Sequence, residues 1–159
     1  MVEKLKMIWQ DAKQLKDERG LTLVELLVVV VILGIIAAIA VVAIGGIIEN
    51  SKKDAMVADA RQMVSAAKLY TASNPIDSEA VLEFTPLAES STNVDMSSYV
   101  SDLKDPLNSG AAYDDAIVFV SQSAGQYEYR VFLDGKKVIG GNTKATAILE
   151  NNLSKDEIE

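Results

Sequence analysis

Hydropathy divides the chain into three stretches. Between residues 26 and 48 no charged side chain interrupts a run of Leu, Val, Ile, Ala and Gly. As a helix rising about 1.5 Å per residue, that run is roughly 35 Å long, enough to cross a bilayer core of about 30 Å. Before it, Leu5, Ile8, Trp9, Ala12 and Leu15 recur at helical spacing among charged residues, the pattern of an amphipathic helix suited to a membrane surface. After it, Met56, Ala60, Met63, Ala67 and Tyr70 recur at steps of four and three, and Val57 and Val64 widen the stripe. Lys52, Lys53, Asp54, Asp59, Arg61 and Lys68 fall between them, so the helix is expected to leave the membrane and become half-buried. One helix over residues 21–71 follows. Asn74-Pro75 ends it, because the residue before proline is pushed out of the helical region and proline cannot extend the hydrogen-bond ladder.

The C-terminal half changes character. A polar, Ser-rich stretch to Gly110 has little periodicity and reads as loop, with short helical pieces expected around residues 77–84 and 95–103. From Ala116 onward, residues 117–120, 127–133 and 138–139 are rich in β-branched and aromatic side chains and predict three short strands. Asp134-Gly135 favours a tight hairpin turn between the second and third. Ala145, Ile148, Leu149 and Leu153 predict a short amphipathic helix, followed by a charged, frayed tail from Ser154. The expected fold is α+β: a long N-terminal helix, transmembrane in its first half and amphipathic in its second, packed on a small three-stranded antiparallel sheet.

Charge and composition narrow the function. The 159 residues carry a formal net charge of −8, and residues 1–20 hold five Lys/Arg against four Asp/Glu. The remainder, with ten basic and nineteen acidic residues, stands at −9. Such a surface repels nucleic-acid phosphates on average, despite Lys136 and Lys137, and no direct nucleic-acid binding is expected. The absence of Cys and His removes disulfides, thiol nucleophiles, the commonest zinc ligands and the usual general base near neutral pH. No catalytic constellation, cofactor site or metal site emerges, and an enzyme is not expected.

A single acidic residue, Glu25, stands at the head of the apolar block, in the string Arg19-Gly20-Leu21-Thr22-Leu23-Val24-Glu25-Leu26-Leu27. A charge near a membrane-helix centre costs about 2.5–3.5 kcal/mol, and less near the end. An intramembrane carboxylate is a functional candidate whose partner must be named. This string resembles the processing site of type IV pilins and pseudopilins, and together with the leader and the absence of cysteine it is similar to pilins of Gram-positive bacteria. The resemblance implies that a prepilin peptidase cuts between Gly20 and Leu21 and that Leu21 becomes the methylated N-terminus. Glu25, with Thr22, would then serve assembly, its carboxylate meeting the Leu21 ammonium of a neighbouring copy. The sequence departs from the pattern at Val42, where many of these proteins have proline, and at Leu21, where phenylalanine is most common; Gly34, Gly45 and Gly46 are left to supply flexibility.

On that resemblance the chain divides into a cleaved leader (1–20), a transmembrane and filament-core helix (21–50) and an exported globular domain (51–159). It implies a single-pass membrane protein that later enters an extracellular or cell-surface filament. The implied partners are copies of itself, the prepilin peptidase and the pilus assembly machinery. A competence or type II secretion pseudopilin is the alternative within this class. From another class, a single-pass anchored binding module needs neither cleavage at Gly20 nor a partner for Glu25. The small-x-small string Ala38-Ile39-Ala40 suits an ordinary signal peptidase, but the apolar run continues eight residues past it. Asp105, Asn108, Asp114 and Asp115 loosely resemble a calcium loop of secretion pseudopilins without supplying a complete ligand set.

Overall fold

The structure, a computed structural model, describes residues 2–17, 22–86 and 92–159. Helix α1 spans Val2–Asp17 and helix α2 spans Leu23–Ser73. The chain separates into two compact units, Met1–Gly45 and Gly46–Glu159.

In the first unit, α2 presents the apolar run with nothing packed over it among the described residues: Leu33 is 58% exposed and Val42 79%. The helix passes Gly34, Gly45 and Gly46 unbroken. A Cβ placed on any of the three would meet nothing within 4 Å.

The second unit is organised around the other half of α2. Met56, Val57, Ala60, Met63, Val64 and Ala67 are buried as the four-and-three spacing predicts, and Thr71 and Ala66 join them. At the C-terminal end the Asn74 N–H donates to the Tyr70 carbonyl at 2.8 Å, and its side-chain amide donates to the same oxygen at 3.2 Å. Pro75 then stops the ladder.

The buried stripe packs against a sheet larger than expected. The three predicted strands are present as β5 (Asp115–Ser123), β6 (Gln126–Asp134) and β7 (Val138–Ile139), in meander order. Three more complete a six-stranded sheet: β1 (Glu79–Glu83) pairs antiparallel with β5, β2 (Val94–Asp95) pairs parallel with β1, and β8 (Ile148–Leu149) pairs with β6 beside β7. The expectation of a small three-stranded antiparallel sheet is therefore corrected to a six-stranded mixed one. Strands β3 (Lys104–Asp105) and β4 (Ala111–Ala112) form a separate pair. Alternation sets the core face: Ala116, Val118 and Val120 of β5 lie opposite Leu133, Val131 and Tyr129 of β6, all buried.

Four local expectations are corrected. Residues 77–84 contain β1 and no helix. Glu, Ala and Leu favour helices in isolation, but Leu82 and Phe84 alternate into the core, and packing overrides propensity. Residues 95–103 begin with the end of β2 and continue as turns. In place of a helix over Ala145–Leu153 stand β8 and a 3-10 turn, Glu150–Asn152: Ile148 and Leu149 pair with Val131 and Arg130 of β6, beside β7. The tail from Ser154 is ordered: a second 3-10 turn, Lys155–Glu157, leads to Ile158, which is 6% exposed and bridges Ile139. Val138 and Glu159 exchange two backbone hydrogen bonds of 3.1 Å.

The tight turn also lies elsewhere than predicted. Ala124-Gly125, joining Ser123 to its cross-strand partner Gln126, has φ of 53° and 79°. Positive φ at both central residues matches the right-handed twist of a two-residue hairpin. Asp134 instead pairs with Val138 across a three-residue loop. Gly135 serves space there, because a Cβ would stand 2.6 Å from the Asp105 carboxylate.

Candidate functional site

Gly20 and Leu21, the expected scissile pair, lie outside the described residues. Thr22 and Glu25 are described, and the helix start brings them together. The Thr22 carbonyl accepts the first helical hydrogen bond from the Leu26 N–H at 3.0 Å. Its hydroxyl accepts from the Glu25 N–H at 3.3 Å, and the Glu25 carboxylate reaches back to the Thr22 N–H at 2.7 Å. The hydroxyl also donates to that carboxylate at 2.7 Å. This reciprocal arrangement is a capping box: each side chain satisfies a backbone N–H that the first turn leaves without an intrahelical acceptor. Thr-x-x-Glu ahead of an apolar run is its sequence signature, a signal that the pattern reading passed over.

The box fixes the charge in place. Both bonds to the Glu25 side chain fall on Oε2, and among the described residues Oε1 accepts none. One oxygen closes the helix start, on a side chain that is exposed. The carboxylate also lies in the first turn, where it complements the positive end of the helix dipole. Immediately beyond it, Leu26, Leu27, Val28 and Val29 are about half exposed, so the charge borders an uncovered apolar surface.

The second unit holds different polar chemistry. Asp105 is fully buried; its Oδ1 accepts from the Leu107 N–H and its Oδ2 from the Lys136 N–H, both at 2.7 Å. It ties the loop after β3 to the loop between β6 and β7. Tyr113 donates its hydroxyl to Asp59 of α2 at 2.8 Å. Burial pushes the Asp59 carboxyl up, the Tyr113 bond opposes this, and the charge of Asp105 adds to it. The Tyr113 hydroxyl is pushed up in turn by burial and by Asp59. Asp115 is raised by burial and by the neighbouring carboxylates Glu83, Asp134 and Asp114. The quartet Asp105, Asn108, Asp114 and Asp115 thus does not converge as a ligand set: Asp105 is turned inward onto backbone N–H groups. Among the described residues no three acidic side chains are placed to hold a metal ion.

Several charges on α2 dock the C-terminal segments. Arg61 donates to the Leu153 carbonyl at 3.3 Å, Lys68 pairs with Glu150, and the Lys68 ammonium lies 5.5 Å from the Tyr129 ring centre. Thr71 and Tyr129 share a 2.7 Å hydroxyl bond, and the Tyr127 hydroxyl accepts from the Ile76 N–H at 3.0 Å. These contacts position the sheet on the helix.

Residues 15–41 match the prokaryotic N-terminal methylation motif. Comparison with curated proteins gives no match, and comparison with solved structures gives none either. Helix α2 is long and apolar enough to cross a membrane, and none of its most apolar window is buried within the molecule. The motif set on this helix near the N-terminus supports a type IV pilin-like prepilin. It points to a structural protein of the pilin type anchored through that helix.

Proposed function

We propose that the chain is the structural subunit of a type IV pilus filament, cut by a prepilin peptidase between Gly20 and Leu21, methylated on Leu21 and polymerised through the apolar half of α2. Residues 1–20 are the leader, 21–50 the membrane and later filament-core helix, and 51–159 the exported domain. The observation that carries this reading is the methylation motif over residues 15–41, whose part from Leu23 onward lies on a capped helix with an exposed apolar surface. A helix with this surface is stable in lipid or against copies of itself, and filament formation exchanges the first environment for the second.

Glu25 is the proposed recognition charge. Cleavage creates an ammonium at Leu21, and the exposed Glu25 carboxylate of a neighbouring copy is its counter-ion. Inside an apolar core the pair attracts more strongly than in water, and an unpaired carboxylate there is strongly disfavoured, so register is selected.

Capping and pairing are separable. Glu25→Gln keeps an amide oxygen for the Thr22 N–H and removes the charge; Glu25→Val removes both. Each variant should insert and be cut, and neither should yield filaments when it is the sole subunit. Normal filaments from Glu25→Gln, with loss confined to Glu25→Val, would reduce Glu25 to a helix cap.

A further inference from the structure

Helix α1 bears an apolar face that is exposed among the described residues. Leu5 is 66% exposed, Ile8 67% and Trp9 71%. At about 100° per residue these three positions fall within an arc of roughly 100°, and Ala12 and Leu15 continue the same register in the sequence. Lys4 and Lys6 stand at its two edges, while Glu3, Met7 and Gln10 fall on the opposite side. Lysines bordering an apolar stripe, with Met7 the one large apolar residue among Glu3, Met7 and Gln10 opposite, suit a helix lying flat at a bilayer: long basic stems reach headgroups while the stripe enters the acyl region. Tryptophan beside the stripe suits the same boundary.

Placement on the chain selects the occupant. α1 ends at Asp17 and α2 begins at Leu23, so five residues separate them. Fully extended, they span no more than about 20 Å. Once the apolar run of α2 enters a bilayer, α1 is tethered within that reach of the lipid surface, at high effective concentration.

We propose that α1 is an interfacial helix that buries Leu5, Ile8 and Trp9 at the lipid surface. The inference rests on α2 spanning the bilayer and not on polymerisation.

Trp9 is the chain's one tryptophan, which makes the intact precursor its own reporter. The uncut chain is reconstituted in phosphatidylcholine vesicles at high lipid-to-protein ratio, with and without brominated acyl chains. Resistance to alkaline extraction is scored in parallel to establish that α2 has inserted. In the inserted chain, Trp9 emission should be blue-shifted and at least halved by the brominated lipid. Leu5→Glu/Ile8→Glu should return it to water-like, unquenched emission without changing extraction resistance. Water-like emission from the unaltered inserted chain would overturn the proposal. Blue-shifted emission that brominated lipid leaves unquenched would overturn it too, since a second copy or another protein surface then covers the stripe. Extraction of the chain by alkali would instead contradict the membrane reading of α2.

Discussion

Helix α2 performs opposite tasks in its two halves. Over residues 23–45 its apolar side chains are uncovered, with Val24 68% and Val42 79% exposed; from Met56 to Thr71 it buries a stripe in which Met56, Ala60, Met63 and Ala67 are fully enclosed. The second half obtains its stability within the chain, from β1, β5 and β6. Among the described residues nothing covers the first half, which in the proposed role is matched by lipid or by other copies. Substitutions in the two halves should therefore fail in different assays, one in folding and one in insertion and assembly.

Met63→Ala sharpens this most strongly. Removing a fully buried methionine should cost about 2–5 kcal/mol and visibly lower the melting temperature of the detergent-solubilised protein. Membrane insertion should remain unchanged. Ile36→Lys should do the reverse: a lysine near the middle of the apolar run costs about 2.5–3.5 kcal/mol on insertion, and membrane yield should fall while the melt of the second unit stays put. Equal melting losses in the two variants would erase the division between the halves.

Smaller effects test how the second unit is held. Asp105→Ala leaves the Leu107 and Lys136 N–H groups without their acceptor, and should cost about 1–3 kcal/mol in a denaturant titration. Asp59 gives the smallest and most pH-dependent change. Its carboxyl is raised in the folded state, so the folded chain holds the proton more tightly than the unfolded one. The associated stability is fully present below the ordinary carboxylate range and is lost as pH rises through the raised value. Asp59→Asn removes that dependence. The stability of this variant relative to the parent should climb with pH across the window and level off above it, as followed by melts from acid to neutral pH. A flat difference would mean that burial does not disfavour the Asp59 charge.

Legibility in the sequence follows the range of the forces involved. The α2 stripe was readable because each of its residues answers to the same helical period, and β5, β6 and β7 because β-branched and aromatic side chains cluster there. Strand β1 was not: Glu79-Ala80-Val81-Leu82-Glu83 has helix-forming composition, and its partner β5 begins more than thirty residues later. Ile148 and Leu149 joined no helix because β6 offered them an edge that local pattern does not reveal. At the candidate site, the Thr22–Glu25 box is local and was present in the string. By contrast, the Asp105–Lys136 bond joins a side chain to a backbone N–H 31 residues away, which residue type cannot announce.

The most direct test of the proposed subunit role is the intact mass and N-terminal peptide sequence of the chain in sheared surface material and in membranes from the same cells. A chain in the sheared fraction beginning with methylated Leu21 is the predicted result, since it records processing and assembly on one molecule. An uncut chain beginning at Met1, confined to membranes of cells with an active prepilin peptidase, would contradict the account and leave the anchored module in its place.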